Sequence, residues 1–170
     1  MTSFGGTYAP LASMLHERFS HLFRSDNLES SMTSPPADQA LLCGCRVLVV
    51  EDDFLIADDF SRRLAAQGAE IVGPAATLEG ARDLVDVAGQ RIDIAVLDVN
   101  LRGTLVFPLA RHLYAAGIPF LFCTGYGEDP IADCFREVTR FEKPLSHQGF
   151  AEMVQMIARL MQGPRGGPLR

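Results

Sequence analysis

The run RVLVV (46–50) ends in Glu51, Asp52 and Asp53, and IAVL (94–97) ends in Asp98, followed by Val99 and Asn100. FLFC (120–123) leads into Thr124 and Gly125, and RFE (140–142) leads into Lys143 and Pro144. Adjacent carboxylates repel one another, and they become tolerable when a divalent cation sits among them. Mg²⁺ takes hard oxygen ligands, keeps several waters and is usually held by one or two carboxylates plus phosphate oxygens. Asp52 and Asp98 can supply direct ligands and Glu51 can act through water, with the backbone carbonyl of Asn100 as a further candidate. Asp98 can then attack phosphorus and form an acyl phosphate. Lys143 offers a point charge for the phosphoryl group or for Asp98, Thr124 offers a hydroxyl, and Gly125 leaves the approach open. Lys143 precedes a proline, which disfavours helix there and permits a cis peptide.

Taken singly, each feature has an ordinary explanation. An acidic pair after a strand is often a solvated strand end, a lone Asp is often a helix cap, and Lys-Pro is usually a turn. What gives them weight is their arrangement at four successive strand ends.

The elements that must position these residues follow from periodicity. Apolar runs predict strands over 46–50, 69–74, 92–98, 118–124 and 138–142, the second closed by Gly73 and Pro74. Helical spacing predicts a helix from 54 that repeats through Ile56, Phe60 and Leu64 and stops at Gly68. A second places Leu78, Ala81, Val85 and Ala88 on one face with Thr77 as N-cap, and a third covers 106–117. A short helix is expected over 130–136, and a last one carries Phe150, Val154, Ile157 and Met161 with Ser146 as N-cap. Five alternating β-α units imply an α/β domain with a doubly wound, parallel five-stranded sheet. In such sheets ligands bind beyond the carboxyl ends of the strands, where the polar residues above are placed.

Composition narrows the function classes. The chain has 170 residues, 48% of them apolar, enough for one domain with tails. A net charge of −6 gives no electrostatic footprint for nucleic acid. No stretch reaches the apolar length of a membrane span, and the N-terminus has no secretory pattern, so a soluble, cytoplasmic protein is expected. Cys43 and Cys45 form a lone C-x-C without a matching pair, so reduced thiols are expected rather than a metal site. Residues 1–44 are read as an extension: Leu11, Leu15, Phe19, Leu22 and Phe23 mark one short amphipathic helix, and SSMTSPPADQ (30–39) is a linker. The domain is assigned to 45–162 and a flexible tail to 163–170.

Between about residues 45 and 160 the sequence resembles the receiver domains of bacterial two-component response regulators, on VLVVEDD, AVLDVN, FLFCTGYG and FEKP. The resemblance implies a (βα)5 flavodoxin-like fold with strand order 2-1-3-4-5. It implies phosphorylation of Asp98 by a sensor histidine kinase or a phosphotransfer protein. It makes Asp52 the main Mg²⁺ ligand with Glu51 beside it, Thr124 the switch hydroxyl and Lys143 the active-site lysine. Asp53 matches no essential position and is left a helix-start role. FLFCTGYG further resembles the Phe-x-Thr-Gly-Tyr signature of a group that includes single-domain regulators and regulators of general stress responses. A stand-alone receiver is therefore expected, catalysing only its own phosphorylation and dephosphorylation. It would signal to a downstream protein, or pair with a second copy, through Arg140, Phe141 and the outward side of 147–161.

The chain departs from common receivers in several places. The loop VNLRGTLVFP after Asp98 is short, as is the segment between Thr124 and Lys143. Arg140 replaces the aromatic normally three residues before the lysine, and Leu145 stands where phenylalanine often follows Lys-Pro. Tyr126 is the aromatic placed to take over the switch, and Arg140 is expected to stay at the surface. One rival reading is an aspartyl-nucleophile, Mg²⁺-dependent phosphatase of the haloacid dehalogenase type. That chemistry wants a second acid two residues after the nucleophile, where this chain has Asn100. Another rival is a receiver-like binding module that is never phosphorylated, but the acidic pair, Asp98 and Lys143 are all present.

Overall fold

The structure is a computed structural model that describes residues 40–87, 91–125 and 135–162. The expected N-terminal helix, the linker, Tyr126, most of the helix expected at 130–136 and the C-terminal tail lie outside the described residues. The elements run β1 (Arg46–Val50), α1 (Phe54–Ala66), β2 (Glu70–Ala75), α2 (Leu78–Asp86), β3 (Ile94–Leu97), β4 (Asn100–Leu101), β5 (Thr104–Leu105), α3 (Phe107–Ala115), β6 (Phe120–Thr124), β7 (Arg140–Glu142) and α4 (His147–Gln162). One parallel five-stranded sheet has the order β2-β1-β3-β6-β7. Counting only its own strands, this is 2-1-3-4-5, the flavodoxin-like order. The order reverses between β1 and β3, and a crevice opens beyond the carboxyl ends at that point.

Strand alternation decides which helices cover which face. Leu48, Val50, Ala95, Leu97, Phe120 and Phe122 point to one side, where they pack with Ala81 of α2 and Leu109, Ala110 and Leu113 of α3. Phe107, Phe120, Phe122 and Phe135 meet there with ring centroids 5.6–6.3 Å apart. Val47, Val49, Ile94, Val96, Leu121 and Cys123 point to the other side, against Phe60 and Leu64 of α1 and Phe150, Met153, Val154 and Ile157 of α4. Both faces are buried, which is why the strands read as nearly continuous apolar runs. Among the described residues no helix is long and apolar enough to cross a membrane.

The helix starts follow local chemistry. Asp53 caps α1 by accepting from the Leu55 and Ile56 N–H groups, Thr77 caps α2 through Gly80 N–H, and the Ser146 hydroxyl accepts from Gly149 N–H.

Several boundaries differ from the sequence expectation. Strand β2 does not close at Gly73 and Pro74 but runs through them to Ala75, with an irregularity opposite Leu48 and Val50. Gly73 makes this passage possible: its φ is +95°, and a Cβ would lie 2.9 Å from Ala75 N and 3.1 Å from the Val49 carbonyl oxygen. Strand β7 covers only 140–142 of the expected 138–142. Leu42, placed in the extension by sequence, is 1% exposed and packs in the core on the α1/α4 side, so the packed unit starts before residue 45. The segment after Asp98 is not a plain loop. It forms the β4–β5 hairpin, turning through Arg102 (φ 51°) and Gly103 (φ 88°), both left-handed as in a type I′ turn.

Candidate functional site

The register places the polar residues together. Val50 pairs with Leu97 across β1 and β3, so Glu51 and Asp98 leave the sheet side by side, and Asp98 N–H bonds the Val50 carbonyl at 2.9 Å. On the far side Thr124 pairs with Glu142, and Lys143 N–H donates to the Thr124 carbonyl at 2.7 Å. The Lys143–Pro144 peptide is cis. The lysine Nζ donates to Asp98 Oδ2 at 2.8 Å and to Glu51 Oε2 in a second, short contact. Glu51, Asp98 and Lys143 are the three buried charged residues among those described. Buried charges persist when paired and hydrogen-bonded, as these are.

The remaining oxygens are only lightly used. Glu51 Oε1 accepts from Asp53 N–H at 3.2 Å, and Asp98 Oδ1 accepts from Asn100 N–H at 3.2 Å. Glu51, Asp52 and Asp98 each present a carboxylate oxygen, all within 4.8 Å of one another. Three hard oxygen donors at that spacing, facing an open cleft of about 590 Å³, match the ligand preference of Mg²⁺. Gly125 lines the same cleft, and a Cβ there would meet nothing within 4 Å. Leu55, 74% exposed, stands on the cleft wall beside Phe54, 77% exposed.

Among solved structures the chain is similar to SdrG from Sphingomonas melonis Fr1. The two are 37% identical over 66% of this chain and 95% of that one, with a TM-score of 0.59. The BeF3-activated conformation of SdrG matches at 33% identity, over 71% and 98% of the two chains, with a TM-score of 0.57. The non-phosphorylated HemR receiver domain from Leptospira biflexa matches at 25% identity, over 72% and 98%, with a TM-score of 0.55. The chain belongs to the response-regulator receiver domains. No protein-family model matches the sequence, nor does any curated protein, so the likeness is carried by the solved structures.

Within this receiver, Glu51, Asp52, Asp98 and Lys143 converge, while Thr124 is half-buried at the end of the neighbouring strand. Glu51, expected as a water-mediated ligand, has one oxygen held directly by Lys143. The Asn100 side chain turns away from Asp98, its oxygen accepting from Gly103 N–H at 2.6 Å in the hairpin turn. Asp53 is spent on capping α1. Arg140 is exposed, whereas Phe141 is half-buried and packs on the α4 side of the sheet.

Electrostatics sort the groups further. Burial pushes the Glu51 carboxyl above its ordinary range, the Asp98 charge acts the same way, and Lys143 pulls it back only in part. For Lys143, burial favours the neutral amine, but the bonds and charges of Asp98 and Glu51 outweigh it and hold the ammonium above the ordinary lysine value. The two partners move in the same direction because one ammonium serves two buried carboxylates. Burial pushes the Cys123 thiol up to about 12, so it stays protonated and is no nucleophile.

One residue of the site was not anticipated. Arg102, at the hairpin tip, donates from Nη2 to the Asp52 carbonyl at 3.1 Å and sets Nε 3.4 Å from Asp52 Oδ2. Its only sequence signal is the Arg-Gly pair shortly after Asp98.

Proposed function

We propose that the chain is a phosphoacceptor in a two-component phosphorelay, with Asp98 receiving the phosphoryl group from a histidine kinase or a phosphotransfer protein. The observation that carries this reading is the pair of bonds from buried Lys143 to Asp98 and Glu51. Asp98 lines an open cleft, with Oδ2 fixed by Lys143 and Oδ1 held only by the Asn100 N–H at 3.2 Å. The Oδ1 oxygen attacks phosphorus, the bond from phosphorus to the donor's imidazole nitrogen breaks, and an acyl phosphate forms on Asp98. Mg²⁺, for which Glu51, Asp52 and Asp98 offer fitting oxygens, supplies positive charge for the phosphoryl oxygens when bound. Lys143 keeps the nucleophile oriented and contributes a fixed positive charge as negative charge gathers. Thr124, at the end of the strand beside β3, supplies the hydroxyl that reads the new phosphoryl oxygens in this reading, and Gly125 on the cleft wall keeps their approach open. Exposed Leu55, on the cleft wall beside the acids, gives the cleft an apolar edge suited to a protein donor.

Output runs through protein contacts on the face of β7 and α4, where Arg140 and Phe141 lie, with a second copy as one candidate partner. The resemblance of FLFCTGYG to the Phe-x-Thr-Gly-Tyr signature supports grouping this receiver with single-domain and stress-response regulators, its catalysis confined to its own phosphorylation and dephosphorylation. A phosphatase reading is not favoured: Asn100, where a second acid would be wanted, is engaged in the hairpin turn.

The test is phosphorylation itself. With Mg²⁺ and acetyl phosphate the protein gains one hydroxylamine-labile phosphoryl group by intact mass, and Asp98→Ala gains none. Labelling that persists in Asp98→Ala refutes the assignment.

A further inference from the structure

Three carboxylates meet at the site, and the two cations present divide them. Lys143 takes Glu51 and Asp98, while Asp52 is taken by Arg102. The Arg102 contact has two points, the backbone carbonyl and the side-chain carboxylate of the same residue. It joins the turn after β1 to the hairpin after β3, across the point where strand order reverses. The backbone is committed to this placement: Arg102 is the one non-glycine residue at positive φ among those described. Side chains other than glycine enter that region at a cost, so the turn must be held by its surroundings. They are Asn100 Oδ1 on Gly103 N–H and the burial of Leu101, which is 4% exposed. The Arg102 side chain itself is 78% exposed, whereas Asp52 is 17% exposed. The guanidinium can therefore swing into water with little desolvation change, while the carboxylate stays in place.

We propose that Arg102 is a built-in competitor for the divalent cation: its guanidinium clamps Asp52 in the metal-free receiver and must release it before Asp52 can serve as a ligand. The clamp gives the metal-free site a substitute positive charge and so relieves the repulsion among its three acids. It also lowers the apparent metal affinity, because only the unclamped fraction of molecules is competent to bind. Arg102 makes no hydrogen bond or ion pair to Asp98 or Lys143, so it acts on the phosphoacceptor only through Asp52. It is a positioning residue, and the inference rests on the magnesium reading given above.

The experiment is a Mg²⁺ titration of the whole protein and two variants, followed by calorimetry or NMR because the chain has no tryptophan to quench. Removing an exposed pair of this kind should tighten Mg²⁺ binding by about two- to fivefold in Arg102→Ala. Arg102→Lys keeps the charge but cannot span both contacts with a planar fork, so it should move most of the way toward the alanine variant. If Arg102→Lys binds as the parent does while Arg102→Ala binds more tightly, only net charge matters and the clamp is refuted. Unchanged or weaker binding in both variants refutes it as well. A second readout needs no metal: the Arg102 Nε–Hε resonance should shift when Asp52 is changed to Asn, and an unmoved resonance means that the contact is absent. If no protein in the series binds Mg²⁺, the metal reading fails by itself, and the resonance still decides whether the clamp exists.

Discussion

Lys143 and Arg102 each bring a positive charge to carboxylates at the same edge of the sheet, under opposite conditions. Lys143 is buried, with 10% of its side chain exposed, and it bridges acids that are 5% and 10% exposed. Arg102 has 78% of its side chain in water and meets one half-buried acid. Burial makes the first contact obligatory, because an unpaired charge there has no water to turn to. Exposure makes the second exchangeable, because water replaces either partner at little cost. One edge of the sheet thus holds a buried, fixed cation and an exposed one whose pairing water can replace.

The comparison breaks most visibly at Lys143. Lys143→Ala leaves two carboxylates buried together without a counter-charge and should cost about 3 kcal/mol in denaturant unfolding. It should also slow phosphoryl uptake by about a hundredfold, the scale of one lost preorganised charge contact. A loss below about 1 kcal/mol would mean that the lysine is not obligatory. The folded lysine holds its proton above the ordinary lysine value. Its contribution is therefore fully present below that value and lost only as pH rises through the raised one. Neutral buffers leave it untouched.

Glu51 provides a smaller and oppositely signed effect. Its folded carboxyl sits above the ordinary glutamate value of 4.5, so folding favours the protonated form. The ionised form costs stability progressively as pH rises from that value through the raised folded one. Glu51→Gln should then be at least as stable as the parent at pH 7, with a flatter stability profile between acid and neutral pH. Unfolding midpoints at the two ends of that range check it, and a clear loss of stability at pH 7 would show that the Lys143 bond outweighs burial.

The smallest effect belongs to Arg102. Arg102→Ala should change unfolding stability by no more than about 0.5 kcal/mol, as expected of an exposed pair. A larger loss would make this contact part of the fold rather than a releasable clamp.

These differences also explain what the sequence could and could not disclose. The five sheet strands and the four described helices are legible because each buries a face, and burial writes apolar runs and helical spacing into the chain. Glu51, Asp98, Thr124 and Lys143 are legible as polar residues that end such runs. Their mutual distances are not, because β3 lies beside β1 although α1, β2 and α2 separate them in the chain. That adjacency entered only through the family resemblance. The direct bond from Lys143 to Glu51 was missed for the same reason. The β4–β5 hairpin is too short for any periodicity, and its Arg-Gly turn lacks the Asn-Gly or Asp-Gly pair that usually announces a type I′ turn. Arg102, carried on that turn, stayed hidden with it. Gly73 and Pro74 read as breakers that close strand β2 at 74, one residue before its observed end. In the fold Gly73 supplies the left-handed backbone that lets the strand continue.

The central claim is that Asp98, held by Lys143 among its neighbouring acids, is the residue that carries the phosphoryl group. Borohydride reduces an aspartyl phosphate to homoserine and so marks the modified residue in place. After incubation with acetyl phosphate and Mg²⁺, reduction and peptide mass spectrometry, homoserine is expected at position 98 and at none of the acids of the 51–53 cluster. Homoserine at 52 or 53, a reduced glutamyl product at 51, or no reduced residue on a protein that has taken up phosphate, would contradict it.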